Sequence, residues 1–463
     1  MSFSESSFAK RLDSFFHISE RGSKFSTEII GGLTTFMAMA YILMTNAGMF
    51  QDIPNATASY NAIYIATAIS AIIGTVLIGL LSKLPLAQAS GMGLNAFFVY
   101  TVCAGLGFTY ANALVMVLID GIIFIILTVT GLREIIFASI PDCVRIAIPA
   151  GIGLFIAFLG LQNAGIVVAD PSTKVNLVSM NFLNGATWGE VMPILVTFFT
   201  IIIIAILSHK GLKGAVIIGI LGGAILYYIL MLTVPGGYDG LISSGTFQLE
   251  NPFNAFTDWG IEANGAGNFV LTLVTTSIAF CLVDMFDTLG TLYGACARGN
   301  LLTETGDIPN IKGAMLADAI ATTTGAICGT STVTTFVESS SGIAAGARTG
   351  LSSMFTALCF FVAMFLAPIA KLIPTCATAA CLIYIGVLMM NCVKNLDWLQ
   401  PAVAVPSFLT IAMMPFTYSI SYGIAFGLIS YLFINLFSGK IKEIKIGTWV
   451  ITILFAVMFF MTH

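Results

Sequence analysis

Charged side chains are scarce in this sequence: they make up 9% of its 463 residues, against about 25% in an average soluble domain. Hydrophobic residues account for 58% of the chain, and its mean hydropathy is +0.99. Apolar runs of about 17 to 22 residues recur along almost the whole sequence, which is long enough for helices that cross a bilayer. The composition therefore excludes a soluble globular protein and predicts an all-α polytopic membrane protein.

Residues suited to metal and redox chemistry are also few. The chain has three histidines, and its nine cysteines are scattered without a CxxC pair, so neither a metal site nor a disulfide framework is indicated. A net charge of only −4, without a long basic run, argues against nucleic-acid binding. We expect no cofactor, and we expect membrane lipid as the surrounding medium.

The apolar runs predict about fourteen transmembrane spans, while a further apolar stretch at 447–462 either spans or lies in the interface. With Met1 in the cytoplasm, all Lys and Arg residues except Lys174 and Lys371 fall in inward loops. The positive-inside rule then supports a multi-pass protein of the cell membrane with a cytoplasmic N-terminus. The predicted spans are 27–45, 60–81, 87–106, 112–132, 146–162, 189–208, 213–233, 268–293, 313–329, 332–350, 352–372, 376–393, 401–417 and 419–438.

Two of these spans are poor continuous helices. The third opens with AQASGMGLNAFF, and the tenth reads TVTTFVESSSGIAAGARTG. Both occupy the third place in successive blocks of seven spans, and an odd-numbered repeat inserts its two halves upside down relative to each other, so the pattern indicates an inverted repeat. Unwound backbone is tolerated in a membrane only where it lines a cavity, so the two segments predict a transport site near the midplane.

Five acidic residues lie within predicted spans: Asp120, Asp284, Asp287, Asp318 and Glu338. An ionised Asp at the centre of a membrane helix costs roughly 2.5–3.5 kcal/mol on insertion scales. No Lys or Arg lies at comparable depth, so we expect some of these acids to be protonated. Such carboxyl groups suit proton coupling and also hydrogen bonding to the N–H edge of a polar ligand. Kink-site hydrogen bonding explains Asp120 as well as function does.

Aromatic residues accompany these acids. Phe97 and Phe98 lie in the third span, while Phe286 and Phe336 lie near acids of the eighth and tenth. Any of them could stack on a flat ring, but most phenylalanines in a chain that contains 36 pack or meet lipid. Asp284 and Asp287 are three residues apart and so share one face of a helix.

Several blocks of the sequence together resemble the AzgA-like purine permeases, a branch of the nucleobase/ascorbate transporter family. The resemblance covers nearly the whole chain, and its blocks are FFHISERGSKFSTEIIGGLTTFMAMAYIL, ASGMGLNAFF, GLREIIFASIP, AIPAGIGLFIAFLGLQNAGI, FCLVDMFDTLGTLYGACARG and GTSTVTTFVESSSGIAAGARTGLSS. It implies fourteen helices in two inverted sevens, a core and a gate domain, and short strands that lead into half-helices in spans three and ten. It also implies a homodimer and proton-coupled import of purine bases by alternating access, with guanine or hypoxanthine favoured and adenine possible.

The implied domains divide the chain into seven parts. They are a cytoplasmic amphipathic segment at 1–26, core spans 1–4 at 27–135, gate spans 5–7 at 136–235, an extracytoplasmic loop at 236–267, core spans 8–11 at 268–372, gate spans 12–14 at 373–438, and a basic and apolar C-terminal segment at 439–463.

The family's site can be carried over to individual residues. The acid of the eighth span falls on Asp287 in FDTLGT, and the acid of the tenth falls on Glu338 in ESSSG. ESSSG has one more residue before its glycine than the ENxG pattern of related uracil permeases, so a gapless match selects Ser339 instead. The expected substrate-binding residues are Glu338, Asp287, Asp284, Ser339, Phe97, Asn95, Thr288 and Phe336. The expected proton-coupling residues are Asp287, Asp284, Asp318 and Glu338.

Three alternatives remain at this level. The same fold could carry another substrate, such as uracil, xanthine or an inorganic anion, although an anion carrier is expected to place a cation at the midplane. An intramembrane aspartyl protease would carry its second aspartate in GxGD, which this sequence lacks. A purely structural membrane protein leaves the buried acids unexplained. We therefore expect a transporter and not an enzyme.

Overall fold

The computed structural model describes residues 7–54, 59–131, 139–212, 214–234, 308–440 and 444–462, together with short pieces between 276 and 303. The predicted loop 236–267 and Phe286 lie outside the described residues. Of the predicted span 268–293 only pieces are described, among them Asp284, Asp287 and Thr288, and these are helical.

The described part of the chain is mostly helical, with seventeen α-helices and four short strands. The helices are α1 Ser7–Phe16, α2 Phe25–Met39, α3 Tyr41–Met49, α4 Tyr60–Leu81, α5 Met92–Ala96, α6 Tyr110–Thr130, α7 Asp142–Asn163, α8 Trp188–His209, α9 Ala215–Met231, α10 Ile311–Cys328, α11 Ser339–Ala344, α12 Gly350–Met364, α13 Ala367–Ala370, α14 Thr375–Met389, α15 Pro401–Thr417, α16 Ile420–Phe437 and α17 Ile446–Thr462. The strands are β1 Gln88–Ser90, β2 Val167–Asp170, β3 Lys174–Leu177 and β4 Val333–Thr335.

Seven helical stretches in the described residues are long and apolar enough to cross a membrane, and shorter apolar helices accompany them. Several lie where the sequence predicts spans: α4 has the predicted bounds 60–81, and α15 has the predicted bounds 401–417. The first predicted span corresponds to two consecutive helices, α2 and α3. The stretch 447–462, whose conformation the sequence leaves open, lies in the single helix α17.

Helix ends follow ordinary capping chemistry. The Ser59 hydroxyl accepts a hydrogen bond from the Ala62 amide at the start of α4, at 3.2 Å, and Thr109 does the same for Asn112 at the start of α6. Gly329 follows the last residue of α10 with φ of +91°, a conformation that suits glycine because it has no Cβ. The chain therefore turns at once from α10 towards β4.

The helices pack as two groups. In the first group α4 contacts α3, α10 and α12, while α2 packs on α11 and α12, and α6 packs on α10. In the second group α7 contacts α14, α15 and α16, α8 contacts α9 and α14, and α17 packs on α16. We call these the first and second helix groups. Small residues allow close approach within a group: a Cβ on Gly350 would collide with the carbonyl oxygen of Gly79 where α12 crosses α4.

Both broken spans contain a short strand followed by a short helix, as expected. β1 pairs antiparallel with β4, with Gln88 opposite Thr335, Ala89 opposite Thr334 and Ser90 opposite Val333. β1 leads into α5 and a π-helical stretch Phe97–Gly105, and β4 leads into α11. We call this two-stranded ribbon the strand crossing, because it joins segments that are more than 240 residues apart in sequence.

Two threonines satisfy backbone groups at the outer edges of the strand crossing. Thr75 of α4 donates to the carbonyl of Gln88 and accepts from the amide of the same residue, both at 3.0 Å. Thr322 of α10 bonds Val333 in the same way, at 3.1 and 3.3 Å. Strand edges in a bilayer need such partners, because lipid offers none. Each hydroxyl thus takes the place of a further strand.

A hairpin that the sequence did not predict connects α7 and α8. Its strands β2 and β3 pair from Val167 opposite Leu177 to Asp170 opposite Lys174. The Asp170 carboxylate accepts hydrogen bonds from the backbone amides of Ser172 and Thr173 at 2.8 and 2.9 Å. Together with the Ser172 hydroxyl, these bonds hold the pKa of Asp170 well below its usual range. A short exposed hairpin of this kind leaves little periodicity for prediction.

The N-terminal segment packs on the first helix group. Phe16 is buried in a small apolar cluster with Ile18 and Leu351, while Phe15 remains about half exposed beneath the ammonium group of Lys83. Part of the apolar face expected for the amphipathic segment 1–26 therefore packs against the first helix group.

A fully buried glutamate holds this end of the bundle together. Glu28 of α2 accepts hydrogen bonds from the Ser23 hydroxyl at 2.5 Å and from the amides of Arg348 and Thr349 at 2.9 and 3.3 Å. The guanidinium group of Arg21 lies nearby and donates to the carbonyls of Lys83 and Arg348. The chain leaving α11 is thus tied to α2.

Replacing Glu28 should therefore destabilise the protein. In Glu28→Ala two buried amides lose their acceptor, which costs about 1–3 kcal/mol for each unsatisfied group, so the purified protein in detergent should melt at a lower temperature. Glu20→Ala is the control, because Glu20 forms an exposed pair with His17 and exposed pairs contribute little. Equal melting temperatures for the two variants would contradict this role of Glu28.

Candidate functional site

The acidic residues of the predicted site gather around the strand crossing. They come from separate parts of the chain: Asp284 and Asp287 from the eighth span, Asp318 from α10, and Glu338 from the turn that precedes α11. Asp287 is hydrogen bonded to Thr334 of β4, Asp318 is hydrogen bonded to Gln88 of β1, and Glu338 follows the end of β4 by three residues. The fold thus brings three acids from three elements to one place.

Asp318 is fully buried and is hydrogen bonded from two other elements. Its Oδ2 accepts from the hydroxyl of Thr288 at 2.8 Å, and its Oδ1 accepts from the side-chain amide nitrogen, Nε2, of Gln88 at 3.3 Å. Gln88 also donates to the hydroxyl of Thr335 in β4, at 3.2 Å. Thr288, expected to bind substrate, is engaged with Asp318 and is fully buried. Asp318 therefore joins α10 to the eighth span and to β1.

Asp284 and Asp287 make different contacts although they are three residues apart. Asp284 is fully buried and accepts a hydrogen bond from Thr322 of α10 at 3.2 Å. Asp287 is only partly buried and accepts from the hydroxyl of Thr334 in β4 at 3.4 Å. Asp287 is therefore the more accessible of the two to a ligand beside the strand crossing.

Glu338 receives a hydrogen bond from a residue that the sequence did not single out. The phenol of Tyr41, the first residue of α3, donates to Glu338 Oε1 at 2.9 Å. Tyr41 is buried, whereas Glu338 is partly exposed. The helix α3, which carries Tyr41, also contacts α14 of the second helix group. Glu338 therefore lies where the first helix group meets the second.

Ser339 has a backbone partner. Its hydroxyl accepts a hydrogen bond from the amide of Ala87 at 3.0 Å, and the side chain is fully buried. Ala87 directly precedes β1 and also accepts from the amide of Phe336. The Ser339 side chain thus adds one hydrogen bond at the end of the strand crossing and satisfies the backbone amide that precedes β1.

Asn95 belongs to a second, neutral polar cluster on the same crossing. Its Oδ1 accepts hydrogen bonds from the hydroxyls of Ser331 and, at 2.9 Å, of Ser90. Its Nδ2 is buried and has no hydrogen-bond partner among the described residues. Hydroxyl and amide groups of α3 and α4 continue the cluster, and their bonds link Asn46 with Thr67 and Thr330, and Thr330 with Ser90. None of these extra members was singled out from the sequence, because neutral polar residues are common in any span.

The expected aromatic residues are mostly packed against other rings. Phe97 meets Phe280 edge to face with ring centroids 4.8 Å apart, and it is 3% exposed. Phe98 stacks on Phe50 at 5.1 Å. Phe336 is 7% exposed within the main apolar cluster. Phe97 and Phe336 thus belong to the same buried apolar cluster.

Asp120 lies within α6, where it is fully buried. The next residue, Gly121, leaves no room for a Cβ against Thr323 of α10. The residue is therefore on the helix that packs on α10.

Comparison with known proteins identifies a family and several similar relatives. The family model Xan_ur_permease, described as "Permease family", matches residues 26–461. The adenine permease AdeP of Escherichia coli is 36% identical over 447 residues, which cover 96% of this chain and 95% of AdeP. The guanine/hypoxanthine permease PbuO of Bacillus subtilis is 38% identical over 452 residues, which cover 96% of this chain and 98% of PbuO.

A solved structure supports the fold. The transmembrane domain of the cyanobacterium bicarbonate transporter BicA superposes with a TM-score of 0.63 at 17% sequence identity, covering 88% of this chain and 97% of that domain. At that identity the similarity concerns the fold alone.

The contact of Ser339 predicts a loss of stability on its removal. In Ser339→Ala the buried amide of Ala87 loses its acceptor, at a cost of about 1–3 kcal/mol, so the melting temperature in detergent should fall. Ser340→Ala changes the neighbouring, partly exposed hydroxyl and serves as the matched control. An unchanged melting temperature for Ser339→Ala would mean that the hydroxyl does not hold β1.

Proposed function

Since this chain belongs to the permease family, we propose that it imports purine bases in symport with protons by alternating access. Guanine and hypoxanthine are the favoured substrates, and adenine is the next candidate. The family is one of transporters, so the protein is a permease and not an enzyme. The names of AdeP and PbuO support a purine substrate. The alternative is another nucleobase, such as uracil or xanthine, on the same fold.

The observation that carries the proposal is the gathering of Asp287, Asp318 and Glu338 beside the strand crossing. Purine bases present N–H groups along one edge, and carboxyl oxygens are strong acceptors for them. Because the sequence offers no Lys or Arg at this depth, we expect the acids to gain and lose protons during transport. One set of residues can therefore serve both the substrate and the proton.

We place the base between the third and tenth segments, with its N–H edge towards Glu338 and Asp287 and its ring beside Phe97 and Phe336. Glu338 is preferred to Ser339 as the acceptor because the Ser339 hydroxyl is already bonded to Ala87. Asp284 and Thr288 support this arrangement from the eighth span.

Asn95 supplies a reason to favour a 6-oxo purine. Its Oδ1 accepts from two hydroxyl groups, and its buried Nδ2 has no hydrogen-bond partner among the described residues, so we take Nδ2 as the group that would meet a ligand. An amide N–H pairs with the carbonyl of guanine or hypoxanthine, but not with the amino group of adenine. Leaving two donors opposed in a dry site costs about 1–3 kcal/mol.

Proton coupling follows from the charge of the site. Three neighbouring carboxylates repel one another in a medium of low dielectric constant, so a proton on Asp287, Asp284, Asp318 or Glu338 lowers the charge that moves with the substrate. Charged groups are the most costly to carry past apolar surfaces. A site that holds substrate and a proton therefore moves past the gate domain more readily than an empty, charged site.

The moving parts would be the two helix groups. We assign the first group, with the eighth span, to the core domain and the second group to the gate domain of a fourteen-helix, seven-plus-seven inverted repeat. Their movement would break contacts such as the hydrogen bond from Thr101 to the carbonyl of Tyr418, at 2.8 Å. The protein would act as a homodimer in the cell membrane with its N-terminus in the cytoplasm.

Uptake of radiolabelled hypoxanthine in cells that lack purine transporters tests the proposal. We expect saturable uptake that unlabelled guanine competes strongly, adenine less and uracil least, and that a protonophore collapses. Uptake that purines do not inhibit would contradict the substrate, and uptake that persists without a proton gradient would contradict the coupling ion.

Substitution of Asp287 tests the role of its charge. Asp287→Asn cannot take up a proton, so accumulation of hypoxanthine above its external concentration should be lost. Asp397→Asn is the matched control, because Asp397 is exposed and accepts hydrogen bonds next to α15. Normal uphill accumulation by Asp287→Asn would refute the assignment of Asp287.

A further inference from the structure

The hydroxyl of Thr322 has more partners than it can donate to. It lies 3.1 Å from the carbonyl oxygen of Val333 and 3.2 Å from Asp284 Oδ2, and it accepts from the amide of Val333 at 3.3 Å. Thr322, Val333 and Asp284 are all fully buried. A threonine hydroxyl carries one hydrogen and two acceptor sites, so it donates to either the carbonyl or the carboxyl group at one time.

We propose that Thr322 is a positioning residue that couples the protonation state of Asp284 to the attachment of β4. The inference rests on the proposed function, because it says how a proton taken up for symport is communicated to the strand crossing. It adds a residue of α10 to the acids considered above.

The two protonation states use the hydroxyl differently. When Asp284 is ionised, a carboxylate is the stronger acceptor, so Thr322 donates to Asp284 and the carbonyl of Val333 loses this donor. When Asp284 takes up a proton from the entry side, its own O–H donates to Thr322. The Thr322 hydrogen then turns to the Val333 carbonyl, and all three groups are satisfied. The same proton leaves Asp284 on the exit side, which restores the first state.

The attachment of β4 matters because this strand supplies the site. Thr334 of β4 donates to Asp287, and Glu338 follows the end of the strand by three residues. Val333 is an edge residue whose backbone groups have no lipid partner. Protonation of Asp284 therefore holds β4 more firmly and fixes the positions of two substrate acceptors.

Other titratable groups surround this pair. They are Asp287 on the same span, Asp318 one turn earlier on α10, Glu338 after β4, and Asp120 and Tyr110 on α6, which packs on α10. Asp318 has donors of its own in Thr288 and Gln88. A change at Thr322 therefore acts first on Asp284.

Thr75 provides a matched control within the same molecule. It makes the same two bonds to the backbone of Gln88 that Thr322 makes to Val333. Among the described residues, its hydroxyl has no hydrogen bond to a carboxyl group. Removing it loosens a strand edge without removing a hydrogen bond made directly to a carboxyl group.

The first experiment compares hypoxanthine uptake by Thr322→Val, Thr322→Ser and Thr75→Val as a function of external pH. Valine removes a donor that favours ionised Asp284, so the protonated form persists to higher pH. The alkaline limit of uptake should move up by about one pH unit or more, since a hydrogen bond to a charged group corresponds to at least that shift. Thr322→Ser should keep the wild-type profile, and Thr75→Val should lower uptake equally at all pH values.

A second measurement does not depend on transport. Hydrogen exchange of the segment 330–338 in the purified wild type, corrected for the intrinsic pH dependence, should be slower at pH 6 than at pH 8. In Thr322→Val this difference should disappear. If uptake proves not to be proton coupled while the exchange difference is present, the proposed function fails and the link through Thr322 stands.

Three results would overturn the inference. They are equal protection of 330–338 at both pH values in the wild type, a pH profile of Thr322→Val that matches Thr75→Val, and a shifted profile in Thr322→Ser. Each would mean that Thr322 only satisfies the edge of β4.

Discussion

The structure depends on the need to satisfy backbone hydrogen bonds inside a membrane. A helix does this by itself, but the segments at 87–106 and 332–350 leave the helical conformation, so their amides and carbonyls need partners from elsewhere. They obtain them by pairing with each other as β1 and β4 and by taking threonine hydroxyls from α4 and α10 at the outer edges. This explains why both segments and the helices beside them are rich in small and hydroxyl-bearing residues. It also fixes the position of every side chain that the strand crossing presents.

The same constraint decides how the buried acids are held. At the end of the bundle near the N-terminus, Glu28 accepts hydrogen bonds from two backbone amides beside the guanidinium group of Arg21. At the strand crossing the described residues include neutral donors to the acids: threonine hydroxyls for Asp284 and Asp287, a phenol for Glu338, and a hydroxyl and a side-chain amide for Asp318. Neutral donors can rearrange when a carboxyl group gains a proton, whereas a fixed cation would oppose that change. The acids at the strand crossing are therefore suited to repeated protonation and deprotonation. The contacts of Glu28 are suited to holding α2 and the chain after α11 together.

Much of this arrangement could be predicted from the sequence, because lipid imposes a simple length and polarity rule on helices. The bounds of α4 and α15 followed from apolar runs, and the interruption of the third and tenth spans followed from their glycines and serines. Tyr41 could not be found in this way: it lies 297 residues from Glu338 in sequence, and a tyrosine in an apolar run has no distinguishing pattern. The backbone contact of Ser339 escaped for a related reason, since spacing alone cannot tell a hydroxyl that binds a ligand from one that binds an amide. Asn95 lies in the third segment, but its partner Ser331 comes from the other half of the chain.

The outer edges of β1 and β4 have the same backbone contacts but different neighbours. Thr75 and Thr322 occupy corresponding places, each on the helix that precedes its strand and each bonded to the amide and carbonyl of the first strand residue. On the β1 side the side-chain amide of Gln88 donates to Asp318, but the hydroxyl of Thr75 has no hydrogen bond to a carboxyl group among the described residues. On the β4 side the hydroxyl of Thr322 lies within hydrogen-bond distance of Asp284. Because only the second of these two hydroxyl groups bonds an acid in the described residues, a proton on Asp284 can change the attachment of β4 while Thr75 keeps its bonds to β1.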